Sequence, residues 1–268
     1  MLPIVDKPLI QYAVDEAIAA GIETLIFVTS RKKHAISDHF DTAFELETKL
    51  ANAGKSELVQ KLHEILPAHV SRAHVPQLEP LGLGHAVLCA SSMVGDEPFA
   101  VLLADDMIRT SGPGCLEQMM SVYQRSGANV VAVQEVPEEE TRRYGIVETS
   151  GAQGNTSRIS SIVEKPEPEE TPSRLGVVGR YIFNPSVFGE LEQVSPGAGG
   201  EIQLTDAIAR QIGSEQVMAC AFDGVRYDCG SKVGFVKATM DYALDDPEMR
   251  QELVDFVLES VASNRGAA

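Results

Sequence analysis

Residues 99–106 read FAVLLADD. Phe99 to Leu103 is a short, unbroken apolar run of strand length, the form taken by a strand covered on both faces. Two carboxylates, Asp105 and Asp106, follow it at once. Upstream, Gly84–Ser92 has a helical pattern, Val70–Val75 reads as a strand, Lys32–Phe40 and Ala43–Leu66 read as helical, and Thr24–Thr29 repeats the buried-strand pattern. The chain opens MLPIVDKPLIQY: a tight turn over Leu2–Pro8, then a helix with Pro8 at its first position and a stripe of Leu9, Ala13, Val14, Ala17 and Ile18, stopped by Gly21. Downstream come a helix over Gly114–Ser126 and a strand over Val130–Val136. This alternation predicts an open α/β sheet, mixed but mostly parallel, flanked by helices.

After Tyr144 the rhythm changes. Closely spaced strands at Gly145–Glu148, Ile159–Val163 and Val177–Phe183, broken by Pro166, Pro168 and Pro172, predict an antiparallel extension over a ligand site. Helices return at Glu201–Ile212 and Lys232–Leu244, and an amphipathic helix over Asp246–Val261 precedes a tail, SNRGAA, expected to be disordered. We therefore expect one domain over 1–245 and a C-terminal helix and tail over 246–268.

Composition limits the function. With 22 basic and 39 acidic residues the net charge is −17, which repels nucleic acid and anionic membrane in the absence of a basic patch. An anionic substrate would need a metal ion and a few well-placed Lys or Arg side chains. Cys89, Cys115, Cys220 and Cys229 have neither C-x-x-C nor zinc-like spacing, so buried, inert thiols are expected. The first residues lack signal-peptide order and no apolar run is long enough to span a bilayer, which points to the cytoplasm.

Candidate chemistry gathers where strands end. Ligands of open α/β sheets sit beyond strand carboxyl ends, and a hard cation such as Mg2+ prefers carboxylate oxygens, so Asp105 is a candidate anchor for a metal–nucleotide complex. A solvated turn explains the same residues equally well. In GLGHAVLCA, Gly82 and Gly84 would let backbone N–H groups approach a phosphate or base, although glycine turns are more often structural. VEKPEP puts Glu164 and Lys165 at a strand end cut off by Pro166, where a surface ion pair is the ordinary alternative. Arg180, between Gly179 and an apolar strand, is harder to explain as decoration. GAGGEIQLTDAI contributes Glu201 and Asp206, and YDCGSK contributes Asp228 and Lys232, all of which also serve as helix-terminus residues.

Together with HFDTAFELE, YGIVE, VGRYIF and YDCGSKVGF, these motifs mark a resemblance, over essentially the whole chain, to the bacterial UTP–glucose-1-phosphate uridylyltransferase family within the sugar-nucleotide pyrophosphorylases. The resemblance implies a Rossmann-like nucleotidyltransferase fold and Mg2+-dependent formation of UDP-glucose and pyrophosphate from UTP and glucose-1-phosphate. It implies that Asp105 and, as a second contributor, Asp228 hold the metal. Gln77 and Gly82 match uracil-contacting positions. Gly145, Glu164 and Val178 fall near ribose or glucose, Asp106 joins the substrate-binding set, and Lys165 binds the phosphate carried by the sugar. Relatives form dimers or tetramers, so a homodimer or homotetramer is implied.

The chain departs from the family at Ala104, where Pro usually stands, and at Leu81, where some members carry Lys. Family members also carry a strand, a G-x-G-T-R-type loop and a Lys-Glu pair ahead of the position of Met1. On that comparison this chain is expected to be poorly active and less stable than a full-length relative. Two other classes remain open at this level: a nucleotidyltransferase for another nucleotide or sugar phosphate, and a non-catalytic sugar-nucleotide-binding or regulatory homologue.

Overall fold

A computed structural model describes residues 1–30 and 33–265. The chain begins with a hairpin of two-residue strands, β1 (Pro3–Ile4) and β2 (Lys7–Pro8), around a turn in which Val5 has φ +57°. Helix α1 (Leu9–Ala19) follows, with Pro8 just ahead of it as the cap rather than inside it, and Gly21 ends the segment at φ +87°. Strand β3 (Thr24–Thr29) pairs in parallel with β4 (Ser71–Pro76).

Between them lie α2 (His34–Phe40), α3 (Phe44–Asn52) and α4 (Ser56–Ile65). The helical run expected over Ala43–Leu66 is thus two helices. Gly54, at φ +70°, turns the chain, and the Lys55 N–H reaches back to Leu50 O at 3.0 Å, a glycine-dependent helix stop. The helix start expected at Lys32 lies outside the described residues.

Next come α5 (Leu83–Cys89), α6 (Ser91–Val94), β5 (Phe99–Leu102), β6 (Asp106–Arg109), α7 (Cys115–Ser126) and β7 (Asn129–Glu135). A 3-10 turn over Glu138–Arg143 leads to β8 (Gly145–Gln153), β9 (Thr156–Glu164) and β10 (Leu175–Phe183). The chain finishes with α8 (Ser186–Leu191), α9 (Leu204–Ile212), β11 (Val217–Ala221), β12 (Val225–Asp228), α10 (Lys232–Ala243) and α11 (Pro247–Arg265). The last helix runs past Val261 to Arg265, and the remainder of the expected tail lies outside the described residues.

The main sheet has six strands in the order β5-β10-β7-β11-β9-β8. It is mixed: β7–β11 is parallel and its other ladders are antiparallel, a larger antiparallel share than the alternation alone implies. Its core follows the two-residue period of a strand. Val131 and Val133 of β7 face one layer with Val187, Leu191, Leu204 and Ile208 of α8 and α9. Val130 and Ala132 face the opposite layer with Val14 and Ala17 of α1 and Leu116 and Met119 of α7. Both faces are helix-covered, which is why residues Val130–Val133 of β7 are all apolar.

Strands β6 and β12 form a separate antiparallel pair whose register sets Asp106 opposite Asp228. A third cluster, with Ile4, Leu9, Met107, Cys229 and Ala238, ties the opening hairpin to this pair and to α10.

Candidate active site

The turn joining β5 to β6 is held from beneath by an internal charge network. Strand β10 has a register shift between Val177 and Tyr181, and at that irregularity the Gly179 N–H donates to Asp106 Oδ2 at 2.7 Å while Gly179 O accepts from the Leu103 N–H at 2.8 Å. Gly179 is required there: a Cβ would sit 2.6 Å from both Asp106 Oδ2 and Leu103 Cβ. The other Asp106 oxygen accepts from Arg226 Nε at 2.5 Å. Burial works against the Arg226 cation, but Asp106 and the Tyr144 hydroxyl outweigh it and hold the guanidinium above its usual range.

Arg180 is 1% exposed, pairs with Glu16 of α1, and donates to Leu103 O at 3.0 Å and Asp106 O at 2.8 Å. The charge that looked out of place in the sequence is therefore a clamp on the 103–106 turn.

With Asp106 anchored inward, Asp105 is left exposed, and its carbonyl accepts from the Cys229 N–H at 2.8 Å. Asp228 ends β12. Its Oδ1 accepts from the Gly230 N–H at 3.1 Å, and its Oδ2 accepts from Arg143 Nη2 at 2.5 Å. A Cβ added to Gly230 would stand 3.1 Å from Asp228 Oδ1 and 3.3 Å from Asp105 Oδ2, so both carboxylates face the space beside this glycine.

Among the described residues, no three His, Cys, Asp or Glu side chains form a complete metal cage. Two carboxylates suit Mg2+, which takes one or two from protein and fills its shell with water and substrate phosphate.

Next to Asp228 opens a cavity of about 300 Å3 lined by Asp106, Arg143, Gly145, Glu164, Lys165 and Asp228, among others. Gly145 faces Glu164 across the β8–β9 ladder, and a Cβ on it would lie 2.6 Å from Thr205 Cγ2. Glu164 Oε2 accepts from the Thr205 hydroxyl at 2.9 Å, and Lys165 Nζ lies 3.2 Å from Glu164 Oε1. Lys165 has φ +46°, a left-handed conformation unusual for a side-chain-bearing residue, and its N–H is tied to Tyr144 O at 2.9 Å. Nearby on α9, burial and then the Glu164 charge push the Asp206 carboxyl upward. A wider, open depression of about 570 Å3 lies over Glu135, Glu138, Glu139 and Arg174; it is mostly acidic and holds none of the candidate residues.

The cavity thus gathers Asp106, Gly145, Glu164, Lys165 and Asp228, with Asp105 beside it. Gln77 and Gly82 are linked to each other at the edge next to Leu83, Gln77 Nε2 donating to Gly82 O at 3.0 Å. Gly82 has φ +95° and Gly84 donates its N–H to Ile202 O at 2.9 Å, so both glycines serve the packing of the GLG turn on the 201–202 loop. His85 Nδ1 lies 3.1 Å from Gln77 Nε2. The Val178 side chain is 1% exposed within the α1–α7 layer, which leaves only its backbone to face a ligand.

The thiols of Cys115, Cys220 and Cys229 are buried and that of Cys89 is half-buried; all are unpaired, and burial raises Cys220 and Cys229 to about 11. Sequence reasoning missed Arg143, Arg226 and Thr205. The signal for Arg143 was the RR directly ahead of YGIVE, a motif already singled out.

A profile of the nucleotidyl transferase family matches residues 1–244. A UTP–glucose-1-phosphate uridylyltransferase of Bacillus subtilis (strain 168) is 48% identical over 258 residues, covering 96% of this chain and 87% of the relative. Among solved structures, a UTP-bound UGPase from Acinetobacter baumannii superposes with a TM-score of 0.87 at 41% identity, over 97% of this chain and 90% of that one. A UDP-glucose pyrophosphorylase complexed with UDP-glucose gives 0.84 at 40% identity, over 92% and 90%.

Proposed function

This chain belongs to the nucleotidyl transferase family, in its UTP–glucose-1-phosphate uridylyltransferase branch, and from that premise we propose that it makes UDP-glucose and pyrophosphate from UTP and glucose-1-phosphate with Mg2+ held by Asp105 and Asp228. The observation that carries the reading is convergence: Lys165, Glu164 and Asp228 line one cavity, and Asp105 shares the Gly230 space with Asp228.

A sugar phosphate is already ionised near neutral pH, so attack of its oxygen on the α-phosphorus of UTP needs no side-chain nucleophile. The protein's work is to align two anions that repel each other. Lys165 holds the phosphate of glucose-1-phosphate as a compact point charge. The Glu164 carboxylate, oriented by Thr205, accepts from sugar hydroxyls. Gln77 and the Gly82 backbone meet the uracil edge, and the Gly145 and Val178 backbones border ribose or glucose. Asp106 shapes the pocket wall through Arg226 and Gly179. Bound Mg2+ supplies Lewis-acid neutralisation of charge on the transferring phosphates. Attraction of this kind has to be local, because the chain as a whole carries −17.

We further propose a homodimer or homotetramer, a reading supported by the apolar side chains that α10 and α11 expose, among them Val233, Phe256 and Leu258. No helix among the described residues is long and apolar enough to cross a membrane, and the four cysteines are unpaired, which agrees with a reducing compartment such as the cytoplasm.

Pyrophosphate release from UTP plus glucose-1-phosphate tests the assignment, with dTTP and ATP run alongside. UTP is expected to be the preferred nucleotide. Faster turnover of another nucleotide overturns the specificity, and UDP-glucose binding with no turnover overturns the enzyme in favour of a binding protein.

A further inference from the structure

The three arginines around the site are held very differently. Arg180 is buried in contact with Glu16 and three carbonyls, and Arg226 is buried against Asp106 and Tyr144. Arg143 is 45% exposed on its 3-10 turn, and its polar partners are acidic: Asp228 Oδ2 at 2.5 Å and Glu140 Oε2 at 3.7 Å. Its guanidinium carbon lies 5.8 Å from the Tyr144 ring centroid, a loose contact. Arg143 lines the same cavity as Lys165, and it occupies the carboxylate oxygen on the side of Asp228 away from the Gly230 N–H.

A divalent ion between Asp105 and Asp228 draws on Asp228 Oδ1, so it and the Arg143 guanidinium on Oδ2 are like charges on one carboxylate and repel each other. The repulsion weakens the hold of Asp228 on the guanidinium, and a released guanidinium in this cavity has a planar fork suited to phosphate oxygens.

We propose that Arg143 is an exchangeable counter-ion: it holds Asp228 in the ligand-free enzyme and transfers to a phosphate of the nucleotide when the divalent cation takes Asp228. The inference rests on the reading of Asp105 and Asp228 as the cation-holding pair. It makes Arg143 a competitor of the free metal and a helper of the metal–nucleotide complex, so its removal has opposite effects on the two. An arginine with a purely structural role would weaken both or neither.

The test uses the full chain and Mn2+ as the probe. Free Mn2+ is followed by electron paramagnetic resonance, first without nucleotide and then as Mn2+–UTP with no glucose-1-phosphate present, so that no turnover occurs. Arg143→Gln is expected to bind Mn2+ alone about two- to fivefold more tightly, the range set by loss of a half-exposed ion pair. The same variant should bind Mn2+–UTP roughly ten- to hundredfold more weakly, through loss of charge-assisted hydrogen bonds. Arg143→Lys, which keeps the charge without the fork, should fall between wild type and Arg143→Gln on both measurements. Asp228→Asn should weaken Mn2+ binding in either background.

Equal or weaker binding of Mn2+ alone by Arg143→Gln, or unchanged Mn2+–UTP binding, overturns the exchange while leaving the cation site standing if Asp228→Asn still matters. Indifference of Mn2+ binding to Asp228→Asn overturns the cation site and the exchange together.

Discussion

Glu16 and Arg180, separated by 164 residues, meet in a buried two-pronged ion pair in which Arg180 Nη2 donates to Glu16 Oε2 at 2.9 Å and Nε donates to both carboxylate oxygens at 3.1 and 3.2 Å. Glu16 Oε1 also accepts from the Leu116 N–H at 3.0 Å, so the pair joins α1, α7 and β10. Removal of one member of a buried pair leaves the other charge without a counter-ion, a loss of about 3–5 kcal/mol. Glu16→Ala should therefore lower stability by that amount in urea unfolding. A loss under about 1 kcal/mol would mean that water reaches Arg180 and that it does not clamp the 103–106 turn.

The turn can also be disturbed from the other side. Gly179→Ala drives a methyl into Asp106 Oδ2 and Leu103. Overpacking of this kind costs about 1–3 kcal/mol, and because Asp105 leaves the same turn, pyrophosphate release should fall as well. Unfolding midpoints and turnover measured on the same preparation check this. An unchanged rate in a destabilised Gly179→Ala would separate the turn from the chemistry.

Lys165 combines the charge proposed to hold the sugar phosphate with a strained backbone at φ +46°. Lys165→Gly removes both, whereas Lys165→Ala removes the charge and keeps the strain. Both variants should lose about 10²–10³-fold in kcat, the scale of losing one preorganised electrostatic contact to a reacting phosphate. The Gly variant should nevertheless equal or exceed the Ala variant in stability by up to about 1 kcal/mol. A clearly more stable Ala variant would show that the left-handed conformation carries no strain.

These cases indicate what the sequence displayed and what it hid. Strand β7 was legible because each of its faces is covered, so hydrophobicity alone marks it, and β3 was bounded correctly from its apolar run although only Leu25 and Phe27 enter the core. DMIR in β6 and VRYD in β12 were not legible as strands, because Asp106 and Arg226 look like solvated residues until they are seen to neutralise each other across 120 positions. Likewise α8, with Gly189 inside it, lacks the run of good helix formers that would announce it. Lys165, Glu164 and Asp228 could be nominated as strand-end residues. Arg143 sits in a charged stretch, EEETRR, whose composition is that of an ordinary surface turn, and only the fold reveals which acid it meets.

A pH dependence of stability follows from His39 at the end of α2. Its Nε2 lies 2.8 Å from Gln11 Oε1, and Gln11 Nε2 is committed as donor to Asp15 Oδ1 at 2.7 Å and Ile65 O at 2.9 Å. The amide oxygen must therefore accept, and His39 Nε2 carries the proton. Burial lowers the His39 pKa below the ordinary value of 6.5, with the Asp15 charge pulling the other way. The folded state thus binds fewer protons than the unfolded chain in the interval just below pH 6.5. Stability from this site is complete above that pH and is lost as acid carries the solution down through the depressed folded value. Thermal unfolding of wild type between pH 7.5 and 5.5 should show this loss over and above that of other groups. His39→Gln keeps an N–H donor for Gln11 without a titrating ring and should show a shallower decline. Parallel curves for the two proteins would mean that His39 titrates alike in the folded and unfolded chain.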